Sequence, residues 1–189
     1  MLDNLKNSDA VLHKYIEEEM ERQKSGIEMI ASESFVPMEI MEIQGSILTN
    51  KTMEGFPGRR YHAGHEAIDK IETLGIQMAK EVYGPDHANK QPHSGSQANQ
   101  SVYAALIKPG DTILGMKLDQ GGHLTHGSSV NFSGKIYNSV SYGLNSETET
   151  IDYDEIERLA KMHSPKIIIA GASSYPRFID YERISKIAH

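Results

Sequence analysis

The sequence predicts an α/β fold in which an N-terminal helical arm leads into a mainly parallel sheet with helices on both faces. Three observations carry this. From about residue 85 onward, helical and strand-like periodicities alternate, as they do in chains built of β-α units. The run Ile167-Ile168-Ile169-Ala170 is apolar without alternation, which is what a strand buried on both faces requires. The first 84 residues hold only helical patterns and one long irregular stretch. The expected division is an arm with a loop over residues 1–84 and a sheet-bearing part over 85–189.

Within the arm, Val11, Leu12, Tyr15, Ile16 and Met20 recur at helical spacing over 9–25. Ser8 or Asp9 can cap that helix and Gly26 can end it. A second short helix is expected over 38–48, entered at Pro37. Residues 49–65 break every periodicity with Gly55, Pro57, Gly58 and Gly64, so they form a loop, and loops of this length tend to be functional. A third helix covers 67–83 and stops at Gly84-Pro85. Beyond it, His87–Pro92 reads as a short strand, Gln97–Ile107 as a helix ended by Pro109-Gly110, and Thr112–Met116 as a strand. Lys135–Ser141 alternates like a strand, Ile156–Met162 is helical with Asp154 and Glu155 in its first turn, and Lys166–Ala172 is the buried strand. Residues 180–188 start a last helix with Asp180 as N-cap. That helix reaches His189 without a stop signal, and a crossover helix is normally followed by another strand. The expectation is the first part of a longer α/β protein; a frayed terminal helix is the plainer alternative.

Composition narrows the function classes. At 189 residues, 38% hydrophobic and 24% charged, the chain is an ordinary globular protein with enough length for a real core. Lys and Arg number 19 against 26 Asp and Glu, a net charge of −7, which argues against a nucleic-acid face as the main business. The absence of Cys excludes disulfide scaffolds, Cys-ligated zinc and thiol nucleophiles. No apolar run approaches the roughly 18 residues of a membrane span, and the N-terminus has no signal-like apolar stretch. A cytoplasmic protein without a membrane partner is the expectation.

Four stretches can carry chemistry. In Gln91-Pro92-His93-Ser94-Gly95-Ser96-Gln97, two hydroxyls flank a glycine where a helix start leaves its N–H groups unpaired, an arrangement that suits a phosphate. An ordinary Ser-capped helix is the alternative. Gly121-Gly122-His123-Leu124-Thr125-His126-Gly127 follows a strand, on the edge where open α/β sheets bind ligands. Its two histidines lack a carboxylate or Cys within the motif, so packing or stacking is favoured over metal ligation. Lys51–His65 holds Glu54, Arg59, Arg60, Tyr61 and His62; Glu54 is an acid/base candidate if the loop closes over a site. Ser32-Glu33-Ser34 and Ser173-Ser174 are turn residues that become ligand contacts only beside a cleft.

At these residues the sequence resembles the serine hydroxymethyltransferases, pyridoxal-phosphate enzymes of the aspartate-aminotransferase fold type. IEMIASESF, QGSILTNK, MEGFPGRRY, QPHSGSQAN, GGHLTHGSSVNFSGK, IDYDEI and IIIAGASSY occur in family order and spacing across the chain. The resemblance implies the first part of a fold type I large domain. It implies that Ser94, Gly95 and Ser96 hold the phosphate of pyridoxal 5′-phosphate, that His123 stacks on the pyridine ring, and that Ser173 meets the phenolic oxygen. Ser32 would meet the substrate carboxylate or hydroxyl. Glu54 would handle the hydroxyl proton from a neighbouring subunit of a homodimer or larger assembly. Leu118, Gly122, His123 and Leu124 would contact folate. The implied reaction moves a one-carbon unit between L-serine and tetrahydrofolate, giving glycine.

Three departures matter. Thr52 stands where the family usually has Tyr in N-K-Y-x-E-G, and His62 where it has the second of two tyrosines. The smaller Thr52 leaves room for a second substituent on Cα, so an α-methylserine type of substrate is the alternative to serine. The lysine, aspartate and arginine that the family uses at the cofactor and substrate carboxylate have no counterpart in these 189 residues. The chain alone is therefore expected to be inactive, either as the N-terminal portion of a transferase or as a naturally short non-catalytic partner.

Overall fold

The computed structural model describes residues 2–189, which divide into a first unit ending at Phe35 and a second, Val36–His189. In the first unit, helix α1 (Asp3–Ser8) is followed by α2 (Ala10–Ser25). Asp9 is the cap: its carboxylate accepts the N–H groups of Val11 and Leu12 at 3.1 and 2.9 Å. Gly26 ends the helix, its N–H bonded to Arg22 O at 3.0 Å.

The second unit opens with α3 (Met38–Gln44) after Pro37. The single helix expected over 38–48 is cut at Gly45, where Ser46 caps a separate 3-10 turn, Ile47–Asn50. The loop expected over 49–65 is partly ordered by a small antiparallel hairpin, β1 (Gly55–Phe56) and β2 (Arg59–Arg60). Helix α4 (Glu66–Tyr83) ends at Gly84 in the left-handed conformation, as a C-terminal glycine should. Then come α5 (Gly95–Leu106), β3 (Thr112–Met116), α6 (Phe132–Ile136), β4 (Asn138–Tyr142), α7 (Tyr153–His163), β5 (Ile167–Ile168) and α8 (Tyr181–Ala188).

The three strands β3, β4 and β5 form a parallel sheet in the order β4-β3-β5, with Thr112 opposite Asn138 and Ile113 opposite Ile167. Strand alternation sends neighbouring side chains of β3 to opposite faces. Ile113 packs with Tyr103 and Ile107 from the α5 side and with Tyr137. Leu114 and Met116 pack with Tyr142, Ile156 and Leu159 of α7 and Ile184 of α8. Helices therefore cover both faces, and the α/β class read from the sequence is the class observed.

Three further elements differ from expectation for identifiable reasons. His87–Pro92 is not a strand: the Gln91 N–H is taken by the Asn89 side chain at 2.9 Å, and the Gln91 amide reaches the hairpin instead of a ladder. The strand expected over Lys135–Ser141 begins only at Asn138, because Asn131 caps α6 through the Ser133 N–H and holds Phe132–Ile136 helical. The strand expected over Lys166–Ala172 shrinks to Ile167–Ile168 and is only half-buried. After the Ile169 N–H reaches Leu114 O, the N–H groups of Ser173 and Ser174 turn to Gly121 O and draw the chain off the ladder. No helix among the described residues is long and apolar enough to cross a membrane.

Leu114 has no solvent exposure and lies at the centre of the α7–α8 face. Leu114→Ala is expected to lower the unfolding free energy by about 3 kcal/mol, read from a urea transition. A loss below about 1 kcal/mol would show that this face is not close-packed.

Candidate functional site

The carboxyl edge of the parallel sheet gathers the turn after β3, the loop after β5 and the start of α5. The turn after β3 runs through a 3-10 segment, Leu118–Gln120, to Gly121 and Gly122. A Cβ on Gly122 would stand 2.2 Å from Met116 O, so the chain can fold back on its own strand only with glycine here. Gly121 O accepts the Ser173 N–H at 2.9 Å and the Ser174 N–H at 3.1 Å, which fastens the loop after β5 to this turn. Leu118 and Leu124 project exposed apolar side chains from it, and Ser173 is half-buried.

Thr125 organises the next layer. It is fully buried, and its hydroxyl accepts from Asn99 Nδ2 at 2.7 Å and lies 2.8 Å from His123 Nδ1. The Thr125 N–H also points at His123 Nδ1, at 3.2 Å. A nitrogen that faces two donors must be the acceptor, so the neutral His123 ring carries its proton on Nε2. Asn99 lies on α5, and Tyr103 on the same helix donates its hydroxyl to Thr125 O at 2.8 Å. Burial, then the nearby Tyr137, pushes the Tyr103 phenol up to about 12, so that donor persists. His126 Nδ1 accepts the His123 N–H at 3.2 Å. Burial first, and the nearby His123 second, bring His126 down to about 4, which keeps that nitrogen free to accept.

At the start of α5, Ser94 is the N-cap, its Oγ accepting the Gln97 N–H at 3.1 Å. The hydroxyl keeps its own proton to donate. The Gln97 side chain accepts the His93 N–H in return. Ser94 and Gly95 are exposed, Ser96 is half-buried, and no atom lies within 4 Å of where a Cβ on Gly95 would be. The first turn is thus open, with unpaired N–H groups and two hydroxyls.

The hairpin loop is held by a charged cluster. The Arg60 side chain, 5% exposed, donates to Asp69 Oδ1 at 2.8 Å, to Gly55 O at 2.9 Å and to Glu72 Oε2, while the Gly58 N–H bonds Asp69 Oδ2 at 2.9 Å. Gln91 Nε2 reaches both Gly55 O, at 2.8 Å, and Glu72 Oε1, at 2.9 Å. Burial pushes the Glu72 carboxyl up, but the hydrogen bonds from Arg60 and Gln91 outweigh it and leave it below the usual range. The Gly58 N–H and then Arg60 hold Asp69 down as well. Gln91 stands three residues before Ser94, so the cluster ties the hairpin to the segment that enters α5.

On the exposed side of the loop, Glu54 Oε2 and His62 Nε2 are 3.5 Å apart. Beneath them the buried His65 touches both Thr52 O and His62 O. The structure thus brings together Thr52, Glu54 and His62 on one loop. It brings His123, Gly122, Leu118, Leu124 and Ser173 together at the sheet edge, with α5 and its Ser94-Gly95-Ser96 start joined to them through Thr125. Ser32 is an exposed residue of the first unit. Asn99, Thr125, His65 and Gln91 escaped the sequence reading. QPHSGSQAN and GGHLTHG contain three of them, yet only Ser, Gly and His have a recognisable role in one dimension.

The family model for serine hydroxymethyltransferase matches residues 5–189 of the chain.

Because folded His126 excludes a proton that the unfolded chain accepts near its ordinary value of 6.5, its contribution is complete above that pH. It fades as pH falls from about 6.5 to about 4. The thermal midpoint is expected to fall over that window, and His126→Gln, which keeps an acceptor for the His123 N–H, should flatten part of the slope. Identical slopes would show that His126 does not couple to folding.

Proposed function

The chain belongs to the serine hydroxymethyltransferase family, and on that premise we propose that it serves the pyridoxal-phosphate-dependent transfer of a hydroxymethyl group between L-serine and tetrahydrofolate, giving glycine and methylene-tetrahydrofolate. The observation that carries the reading is the Asn99–Thr125–His123 chain, which couples the helix that starts at the Ser94-Gly95-Ser96 turn to one oriented imidazole at the sheet edge.

The residues present fit pyridoxal 5′-phosphate. Ser94, Gly95 and Ser96 would hold the phosphate: the turn is open, its donors are unpaired and α5 presents its positive end. His123 would hold the pyridine ring and Ser173 the phenolic oxygen. Bound there, the cofactor supplies an electron sink for bond cleavage at the substrate Cα. The lysine, aspartate and arginine that the family uses at the cofactor and substrate carboxylate are not among these residues, and the chain supplies the remaining contacts. Ser32 and Thr52 bind and orient the amino acid, Glu54 holds or releases the proton at the substrate hydroxyl, and His62 stands beside Glu54 as a second proton-carrying group. Leu118, Gly122, His123 and Leu124 line the approach of the folate, with Leu118 and Leu124 supplying exposed apolar surface. A homodimer or larger assembly, with Glu54 delivered to a neighbouring subunit, is supported by the exposed Met53, Phe56 and Tyr61 around it. A cytoplasmic setting goes with this reading.

A second reading, an α-methylserine type of substrate, is favoured by Thr52. Its side chain is exposed on the loop that carries Glu54, and it is smaller than the tyrosine usual there.

In an enzyme that contains this chain, Glu54→Gln is expected to lower kcat for serine by about 100-fold with little change in KM. Unchanged kcat would remove Glu54 from the reaction, and absence of any serine turnover by the parent enzyme would overturn the reading. Thr52→Tyr is expected to raise the kcat/KM ratio of serine over α-methylserine about tenfold, the worth of one crowded methyl. An unmoved ratio would remove Thr52 as the selector.

A further inference from the structure

The ladder between β3 and β4 ends where the Lys117 N–H meets Tyr142 O at 3.0 Å. Beyond it, Leu118–Gln120 is a single 3-10 turn, a form with poor hydrogen-bond geometry and little hold of its own. Leu118 and Asp119 are exposed, and Gln120 is half-buried. Gln120 Oε1 accepts the Leu144 N–H at 2.7 Å, from the loop after β4. The reach is possible because residue 143 is glycine: a Cβ there would collide with Gln120 Oε1.

That loop is tied at a second point. Leu144 and Ile151 form an antiparallel bridge, and the Ile151 N–H donates to the Tyr175 hydroxyl oxygen at 3.2 Å. Tyr175 follows Ser173 and Ser174, whose N–H groups bond Gly121 O. It also packs on Gly121 itself, where a Cβ would stand 3.0 Å from Tyr175 Cβ. Gly121 is the chain neighbour of Gln120. These contacts close a ring through the loops after β3, β4 and β5, and its two side-chain links are Gln120 and Tyr175.

We propose that Gln120 is a positioning residue for the folate: by closing this ring through the Leu144 N–H it fixes the 3-10 turn and holds Leu118 in place on the folate's approach. That the ligand is a folate rests on the reading proposed above. The ring itself does not.

Leu118 offers exposed apolar surface to an incoming ring system. On a loose turn that surface would have to be ordered each time the ligand bound, at a loss of affinity; a turn already fixed avoids the loss. Gly121 and Gly122 are held without Gln120. The Gly122 N–H bonds Lys117 O at 2.9 Å, and Gly121 O keeps the Ser173 and Ser174 N–H groups. Loss of the Gln120 link therefore reaches Leu118 and spares Ser173 and His123, so its effect falls on the folate and not on the amino acid.

The test joins amide hydrogen exchange to kinetics. The Leu144 amide is expected to exchange about tenfold faster in Gln120→Leu, which keeps the bulk and removes the acceptor, than in the unmutated protein. A Leu144 amide that exchanges as in an unstructured chain overturns the ring on the unmutated protein alone, whether or not a variant folds. In an enzyme that contains this chain, Gln120→Leu should raise KM for tetrahydrofolate about tenfold, with KM for serine and kcat unchanged. Tyr175→Phe opens the ring at its other link and should give the same selective rise, and the double variant should add nothing to either. A folate KM that stays put while the Leu144 amide becomes fast overturns the positioning role, as does a rise shared equally by folate and serine. Multiplied effects in the double variant overturn the ring. An enzyme that turns over no serine, while the Leu144 amide is slow in the parent and fast in Gln120→Leu, refutes the reaction assignment and leaves the ring standing.

Discussion

The buried hydroxyl of Thr125 is the constraint on which the sheet-edge site depends. A hydroxyl with no solvent exposure must find its partners inside the protein or carry an unmet desolvation cost. Thr125 finds Asn99 on one side and His123 on the other, and its backbone carbonyl takes the Tyr103 hydroxyl. Meeting that requirement fixes three things at once. The His123 ring is oriented and its tautomer set, helix α5 is docked against the turn after β3, and the open start of α5 is carried to the edge of the sheet. The core underneath makes this possible, because β3 is buried on both faces and cannot shift to accommodate a loose turn.

A second anchor works through charge. Taking Arg60 and Glu72 out of water costs several kcal/mol per ion, to order of magnitude, unless every donor and acceptor is met. Here Asp69, Gly55 O and Gln91 complete the set. The return is geometric more than energetic. A hairpin of two residues per strand has little hold of its own, and the cluster fixes it to α4 and to the segment before Ser94. Gly55 is part of the same device: its φ is +90°, and a Cβ there would collide with Arg59 O. One loop thus acquires a defined inner face, built from Arg60 and His65, and an outer face that presents Glu54, His62 and Thr52.

Much of this architecture was legible in the sequence, and what escaped it did so for physical reasons. Thr112–Met116 was readable to the residue because β3 is apolar and its ends are marked by Gly110 and a charged Lys117. Asp180 starts α8 as the side-chain cap expected there, a signal local in sequence, whereas α7, capped by Asp152, starts at Tyr153, ahead of the expected Ile156. The segment 87–92 misled because its hydrogen bonds are satisfied by Asn89 and by a glycine 36 residues away, which no window of sequence reveals. The same holds for the site. Ser94, Gly95, Ser96 and His123 stand out by residue type and position after a strand. Thr125, Asn99 and Gln91 matter only through what they touch across the fold, and His65 only through two backbone carbonyls, one of them 13 residues away.

On the function proposed, the carboxyl edge of this sheet receives a phosphorylated pyridine through the first turn of α5. The most direct measurement is to titrate the protein with pyridoxal 5′-phosphate and, separately, with pyridoxal, following the amide resonances of Gly95 and Ser96 and the ring of His123. The phosphorylated form is expected to bind at least about tenfold more tightly. That form alone should move the Gly95 and Ser96 amides, while both forms should move His123. Equal affinities, or amides at the start of α5 that stay in place as the cofactor binds, would contradict it.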